Sequence, residues 1–212
     1  MLSGRLAAAV FVALLFLLPS SGLHAQGKDP VSSFADRVAG SRVQFDYRYE
    51  MEDAGMTMTG EGNVTVQGES YRISGDGLEI WCDGKAVCTV DDAAGEVVIE
   101  PVWAGSGAFV NPAALVRNIG SGFLWDPDGQ ESVFSGREAL EYDLTPVEPA
   151  SDISGLKLCF TPDGTMLVGA ELRTAKATVV FHLSSIRFGQ PGDGAEFSIP
   201  SFGPEYFVTD LR

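Results

Sequence analysis

The sequence predicts one domain of mainly antiparallel β structure, folded as a sandwich or a barrel-like curved sheet. Three observations predict it. Runs of β-forming residues alternate apolar and polar with period two, the pattern of half-buried strands. Asp-Gly pairs punctuate those runs at Asp76-Gly77, Asp83-Gly84, Asp128-Gly129, Asp163-Gly164 and Asp193-Gly194. Glycine supplies the positive φ of a tight hairpin turn, and aspartate tolerates it alongside. Helical spacing, by contrast, is confined to two short segments.

Taken in order, Asp29-Pro30 offers a helix N-cap followed by proline at the first helical position. Val31, Phe34, Ala35 and Val38 then share one face, and Gly40 ends the run. In the first strand Val43, Phe45, Tyr47 and Tyr49 lie on one side and alternate with polar residues. Met56, Met58, Gly60, Gly62, Val64 and Val66 share a face of the next run, and Tyr71, Ile73, Leu78, Ile80 and Cys82 continue the pattern. Asn111-Pro112 repeats the helix opening, with Ala114, Leu115 and Ile119 on one face and Gly120 as the stop. Strands return at 140–144, 156–160, 165–173 and 177–188.

The N-terminus reads as a cleavable export signal over residues 1–25. Arg5 precedes an apolar run from Leu6 to Leu18, and small residues follow up to a cleavage site at Leu23-His24-Ala25. That run is shorter than the ~20 residues of a membrane-spanning helix. No cysteine lies near the junction, which excludes a lipid-anchored N-terminus, so residues 26–212 are expected as one soluble periplasmic domain. With 14 Lys+Arg against 29 Asp+Glu, the chain has a net charge of −15, which repels nucleic acid and anionic membrane surfaces. The odd count of three cysteines, Cys82, Cys88 and Cys159, rules out full intramolecular pairing. A two-residue hairpin loop at Asp83-Gly84 sets Cys82 and Cys88 on opposite faces, and a three-residue loop sets them diagonally, too far apart for a relaxed disulfide. Three buried thiols are expected.

Catalytic machinery is not visible. The histidine of the mature chain is His182, within a strand-like stretch, and no nucleophile elbow, phosphate loop or dinucleotide fingerprint occurs. No histidine stands near the cysteines at metal-ligand spacing, so neither metal nor cofactor is expected. Asp126-Pro127-Asp128-Gly129 places its glycine too early for a calcium loop and reads as a turn. The distinctive material is apolar: Phe45, Tyr47, Tyr49, Met56, Met58, Leu78, Ile80 and Trp81. It suits an ordinary core, and it equally suits the lining of a cavity for varied apolar ligands, where adaptable methionines are useful.

Four segments, in this order and spacing, resemble the LolA family of periplasmic lipoprotein carriers in its Bacteroidetes-type form. They are Leu78-Glu-Ile-Trp-Cys-Asp-Gly-Lys85, Asn111-Pro-Ala-Ala-Leu-Val116, Tyr142-Asp-Leu-Thr-Pro146 and Tyr206-Phe-Val-Thr-Asp-Leu-Arg212. The resemblance implies an unclosed, strongly curved antiparallel half-barrel with short helices over its concave face. It also implies a non-enzymatic carrier of acylated lipoproteins, loaded by an inner-membrane lipoprotein-releasing transporter and unloaded toward an outer-membrane acceptor. On this basis Phe45, Tyr47, Tyr49, Met56, Met58, Val64, Val66, Ile73, Leu78 and Ile80 would line the lipid site from the sheet, and Leu115 and Ile119 from the second helix. Many proteobacterial members carry an Arg-Pro pair after the strand equivalent to 62–66, where the arginine helps to latch the helices. This chain reads Gln67-Gly68-Glu69-Ser70 there, so that latch does not carry over, and Arg72 is the nearest substitute. A carrier of free lipid or glycolipid is the alternative reading, and a small enzyme using His182 and a carboxylate is a more distant one.

Overall fold

The computed structural model describes residues 28–53, 55–102, 112–148, 153–175 and 177–212; the expected export signal lies outside them. Thirteen strands form one unclosed curved sheet. In chain order they are β1 (Arg42–Asp53), β2 (Met56–Gln67), β3 (Ser70–Gly75), β4 (Leu78–Cys82), β5 (Ala86–Asp91), β6 (Glu96–Pro101), β7 (Phe123–Trp125), β8 (Gln130–Phe134), β9 (Arg137–Pro146), β10 (Ile153–Phe160), β11 (Leu167–Thr174), β12 (Ala177–Gly189) and β13 (Phe207–Asp210). Across the sheet the order is β13-β6-β5-β4-β3-β2-β1-β12-β11-β10-β9-β7, with β8 paired to β9. The long β1–β12 pairing therefore joins two antiparallel meanders. Among the described strands only β13 runs parallel to its neighbour, β6.

Local chemistry accounts for the turns. Asp76 and Gly77 both take positive φ, 56° and 81°, as a tight two-residue turn between β3 and β4 demands. The β4–β5 loop is longer than either length considered from the sequence: Cys82 pairs with Val87, leaving four residues between them. Asp83 organises that loop by accepting the N–H groups of Lys85 and Ala86 at 2.8 and 2.9 Å. Cys82 and Cys88 consequently face opposite sides of the sheet, and all three cysteines are buried free thiols.

Two helices cover the concave face. Helix α1 (Pro30–Ala39) begins as the sequence predicts, with the Asp29 carboxylate accepting the Ser32 N–H at 2.9 Å, and it ends at Gly40. It buries Val31, Phe34 and Val38. Helix α2 (Pro112–Gly122) runs two residues past the expected stop at Gly120. Gly120 is instead a crossing point, since a Cβ there would lie 3.0 Å from the Cβ of Ala35 on α1. The buried face of α2 includes the expected Ile119 together with Ala113 and Val116, and Leu115 lies at the margin of the core.

The sheet has a core on each side. On the concave side, residues of α1 and α2 pack with Val43, Phe45, Val64, Ile73, Leu158, Leu172 and Phe181 into the main core. On the convex side Ala86, Cys88, Val90, Val97 and Ile99 pack under Ile199, Phe202 and Tyr206 of the C-terminal segment. That segment is tied down along its length. The Gln67 side chain bonds both backbone groups of Gly192 at 2.9 and 2.8 Å, Arg42 grips Glu196, and the Tyr206 hydroxyl donates to Asp92 at 2.6 Å. These contacts deliver β13 to the free edge of β6.

Candidate functional site

The concave face divides into a covered part and an open part. Register fixes which residues share it: Tyr47 pairs with Gly62, Gly62 with Gly75, and Gly75 with Leu78, in one row across β1 to β4. The adjacent row runs Phe45, Val64, Ile73, Ile80, Thr89 and Val98. Under the helices this face is dry. Phe45, Val64, Val66, Ile73 and Ile119 are each 5% exposed or less and belong to one continuous core.

Beyond the helices the same face stays largely apolar without becoming buried, interrupted where the Asp76 carboxylate lies over Gly60 beside the Tyr49 ring. Tyr49, Met51, Ile80 and Val87 are half-buried at the margin of the core, and Leu78 is half-buried beside them. Met58 is 43% exposed, Met56 65% and Val98 37%. Together they form a stripe from the β1–β2 hairpin to β6, ending where Glu96 and Glu100 make the face polar. The register thus puts Tyr49, Met58, Leu78 and Ile80 on one open face, with the Asp76 carboxylate over Gly60 among them, while Met56 projects at its end. The other sequence-predicted lining residues form the floor beneath the helices, with Leu115 at its edge.

Two tyrosines shape the junction. The rings of Tyr47 and Tyr49 stack with centroids 6.4 Å apart and an interplanar angle of 21°, and both lean on Phe181. They lie across a strip of glycines. A Cβ at Gly62 would meet the Ser74 carbonyl and stand 2.8 Å from the Tyr47 hydroxyl, and one at Gly60 would stand 2.5 Å from the Tyr49 ring. Burial, with the nearby Asp76 carboxylate and Tyr49, pushes the Tyr47 hydroxyl up to about 12, so it stays neutral and the floor apolar at physiological pH.

Arg117 ties α2 to the sheet. Its guanidinium donates to the Glu69 backbone carbonyl at 3.3 Å and pairs with the Glu69 carboxylate at 3.2 Å. Its Nε is buried without a hydrogen-bond partner. The contact falls in the β2–β3 turn, where the resemblance led to a missing arginine. The cation is supplied from the helix and the acceptors from the turn. Arg72 does not substitute: it pairs with Glu79 at 3.1 Å and sits over the Trp81 ring on the convex side. Nothing local in the sequence links Arg117 to Glu69, which is why sequence reasoning missed it.

The convex face carries the polar features. A groove of about 650 Å³ is lined by Asp46, Arg48, Glu50, Glu61, Asn63, Ser135, His182 and Ser184. His182 accepts or donates through Nδ1 to the Ser135 hydroxyl at 3.0 Å and packs on Phe134, with ring centroids 5.2 Å apart. Phe134 covers Gly169, where any side chain would collide with its ring. His182 thus fastens the tip of the β8–β9 hairpin to the sheet. Burial and the Glu141 carboxylate push the Cys159 thiol up to about 12, leaving it a neutral core group. No cluster of potential metal ligands occurs among the described residues.

No family model and no curated protein matches the sequence. Solved structures do. An uncharacterised conserved protein from Thermus thermophilus aligns with TM-score 0.50 and 10% identity, over 84% of this chain and 97% of that one. A LolA superfamily protein from Nitrosomonas europaea gives 0.43 and 8%, over 80% and 96%. A putative outer membrane lipoprotein-sorting protein domain from Vibrio parahaemolyticus gives 0.44 and 10%, over 79% and 94%. At such identities the likeness is one of fold alone, and it agrees with the open, curved half-barrel described above.

Proposed function

We propose that this protein is an exported, non-enzymatic carrier that holds the acyl chains of lipoproteins on its concave face. The observation that carries the reading is the apolar stripe of half-buried Tyr49, Met51, Leu78 and Ile80 and exposed Met58 and Val98, adjoining a core covered by two small helices. A soluble chain gains nothing by leaving such a stripe half-covered unless something else completes it. Acyl chains suit it, because each buried CH₂ contributes ~0.8 kcal/mol without any directional contact. Displacement of α1 and α2 would extend the stripe over Phe45, Val64 and Ile73, and the carrier would then enclose more than one chain. The four sequence segments that resemble lipoprotein carriers support the same reading, and so does the export signal expected over residues 1–25.

The test is capture of a fluorescent long-chain acyl probe by the mature protein and by Leu78→Glu and Ile80→Glu. Both positions are half-buried, so the variants keep the fold, as far-UV circular dichroism will verify. The expected result is a loss of affinity of roughly tenfold or more, since each substitution sets a carboxylate against the chain. Unchanged capture by the folded variants would remove this stripe from the binding site.

A further inference from the structure

The β1–β2 hairpin outgrows the strand that should cover it. On the side of β1, β2 is paired from Met56 to Gln67, but β3 begins its pairing only at Gly62. Among the described residues, none pairs with the outer edge of β2 between Met56 and Gly60. Successive residues of an antiparallel strand turn their backbone groups to opposite neighbours. The Glu61 N–H faces the β3 side, where it donates to Asp76 at 3.1 Å. The N–H and C=O groups of Thr59 and Thr57 therefore point the same way, into the open, and both residues are exposed. Met56 and Met58, on the concave face of this edge, belong to the apolar stripe. The opposite face holds Glu61, with Glu50 and Glu52 across the ladder from Thr59 and Thr57.

We propose that this edge takes up, as an added antiparallel strand, the extended polypeptide that adjoins the acyl group of the cargo. The inference rests on the carrier reading and adds the cargo's protein part to its site. An acyl chain lying on Met58, Tyr49 and Leu78 leaves its attached peptide at the hairpin lip. There the four outward backbone groups of Thr57 and Thr59 offer a ladder that is indifferent to sequence, as strand addition requires. Residues of that peptide facing the concave side meet Met56 and Met58, which adapt to varied apolar partners. Those facing the convex side lie beside Thr57, Thr59 and Glu61, the last paired with Arg48, with Glu50 and Glu52 one strand further in, so long basic side chains reach a net acidic surface there. A carrier built this way distinguishes acylated protein from free lipid.

The experiment compares a palmitoylated peptide bearing lysine at alternate positions with the same acyl probe lacking the peptide, using wild type, Thr59→Pro and Thr59→Val. Proline at 59 removes an outward N–H and leaves the β1–β2 ladder whole, because that N–H does not face β1. Wild type and Thr59→Val are expected to bind the lipopeptide roughly tenfold more tightly than the bare probe, and Thr59→Pro to bind the two equally. Equal affinities in wild type, or an undiminished preference in Thr59→Pro, would overturn the proposal. Sedimentation analysis supplies a further arm: a wild-type dimer that Thr59→Pro abolishes would assign the edge to a second copy and overturn it too. Failure of wild type to bind either probe would count against the carrier reading itself, which is a different result from equal binding.

Discussion

At the residue scale, individual side chains decide whether the concave face is flat, dry and closed. Gly62 shows this most directly, because the Tyr47 ring and the Ser74 carbonyl occupy the space that a Cβ would need. Gly62→Ala is expected to cost about 1–3 kcal/mol through overpacking, read as a lower midpoint in urea denaturation. Asp29 makes a second case. Burial pushes its carboxyl up, but hydrogen bonds from Ser32 and Trp125 outweigh this and hold it below the ordinary value of 3.8. A depressed carboxyl stabilises the fold above its unfolded pKa, and that contribution is lost as pH falls through the folded value. Asp29→Ala is expected to cost ~1 kcal/mol at neutral pH as a lost N-cap. The difference from wild type should shrink below about pH 3.8, in parallel acid melts. A difference that persisted unchanged in acid would mean that the charge of Asp29 contributes nothing.

At the scale of elements, the sequence carried more of the sheet than of its cover. Strict alternation in Val43-to-Tyr49 and the turn chemistry of Asp76-Gly77 are local signals, and β1, β3 and β4 stand where they predict. The cap at Asp29-Pro30 is equally local, and α1 follows it. What depends on distant partners was not legible. The face of α2 is set by its packing on α1 and the sheet: Ile119 is buried and Leu115 packs at the core's margin as the sequence pointed to, but Ala113 and Val116, which it did not name, are buried too. The parallel pairing of β13 with β6 depends on the C-terminal segment crossing the convex face. The candidate site divides in the same way. Its apolar residues could be named from their period, but whether each lies under the helices or in the open required the position of those helices. Arg117 is the element-scale consequence with a test. It bridges α2 to the β2–β3 turn, and its partner Glu69 is mostly exposed, so the ion pair that Arg117→Ala removes should itself contribute less than ~1 kcal/mol to global stability, beyond the packing of the largely buried arginine stem. Its effect should appear instead as faster hydrogen exchange in α2 and faster uptake of an acyl probe. Protection in α2 equal to that of wild type would show that the bridge does not hold the helix.

At the scale of the whole molecule, the sheet is a two-sided frame. Its convex side is closed by the C-terminal segment and by the β8–β9 hairpin fastened at His182, and it presents polar groups to solvent. Its concave side is closed only in part, by two helices that contribute a limited set of buried residues. Under the carrier reading, the helices are the part that would move and the convex wall the part that would stay fixed. The strong net negative charge of the chain belongs to the same description. It would keep an exposed apolar stripe from settling on anionic membranes.

The most direct test of the carrier account is native mass spectrometry of the protein isolated from the periplasm of its own host, with lipid and peptide analysis of whatever is released. The account predicts an acylated polypeptide bound one-to-one. Free lipid without any acylated polypeptide would contradict lipoprotein carriage and leave a lipid carrier on the same fold, and a protein that is always ligand-free would contradict the carrier function as a whole.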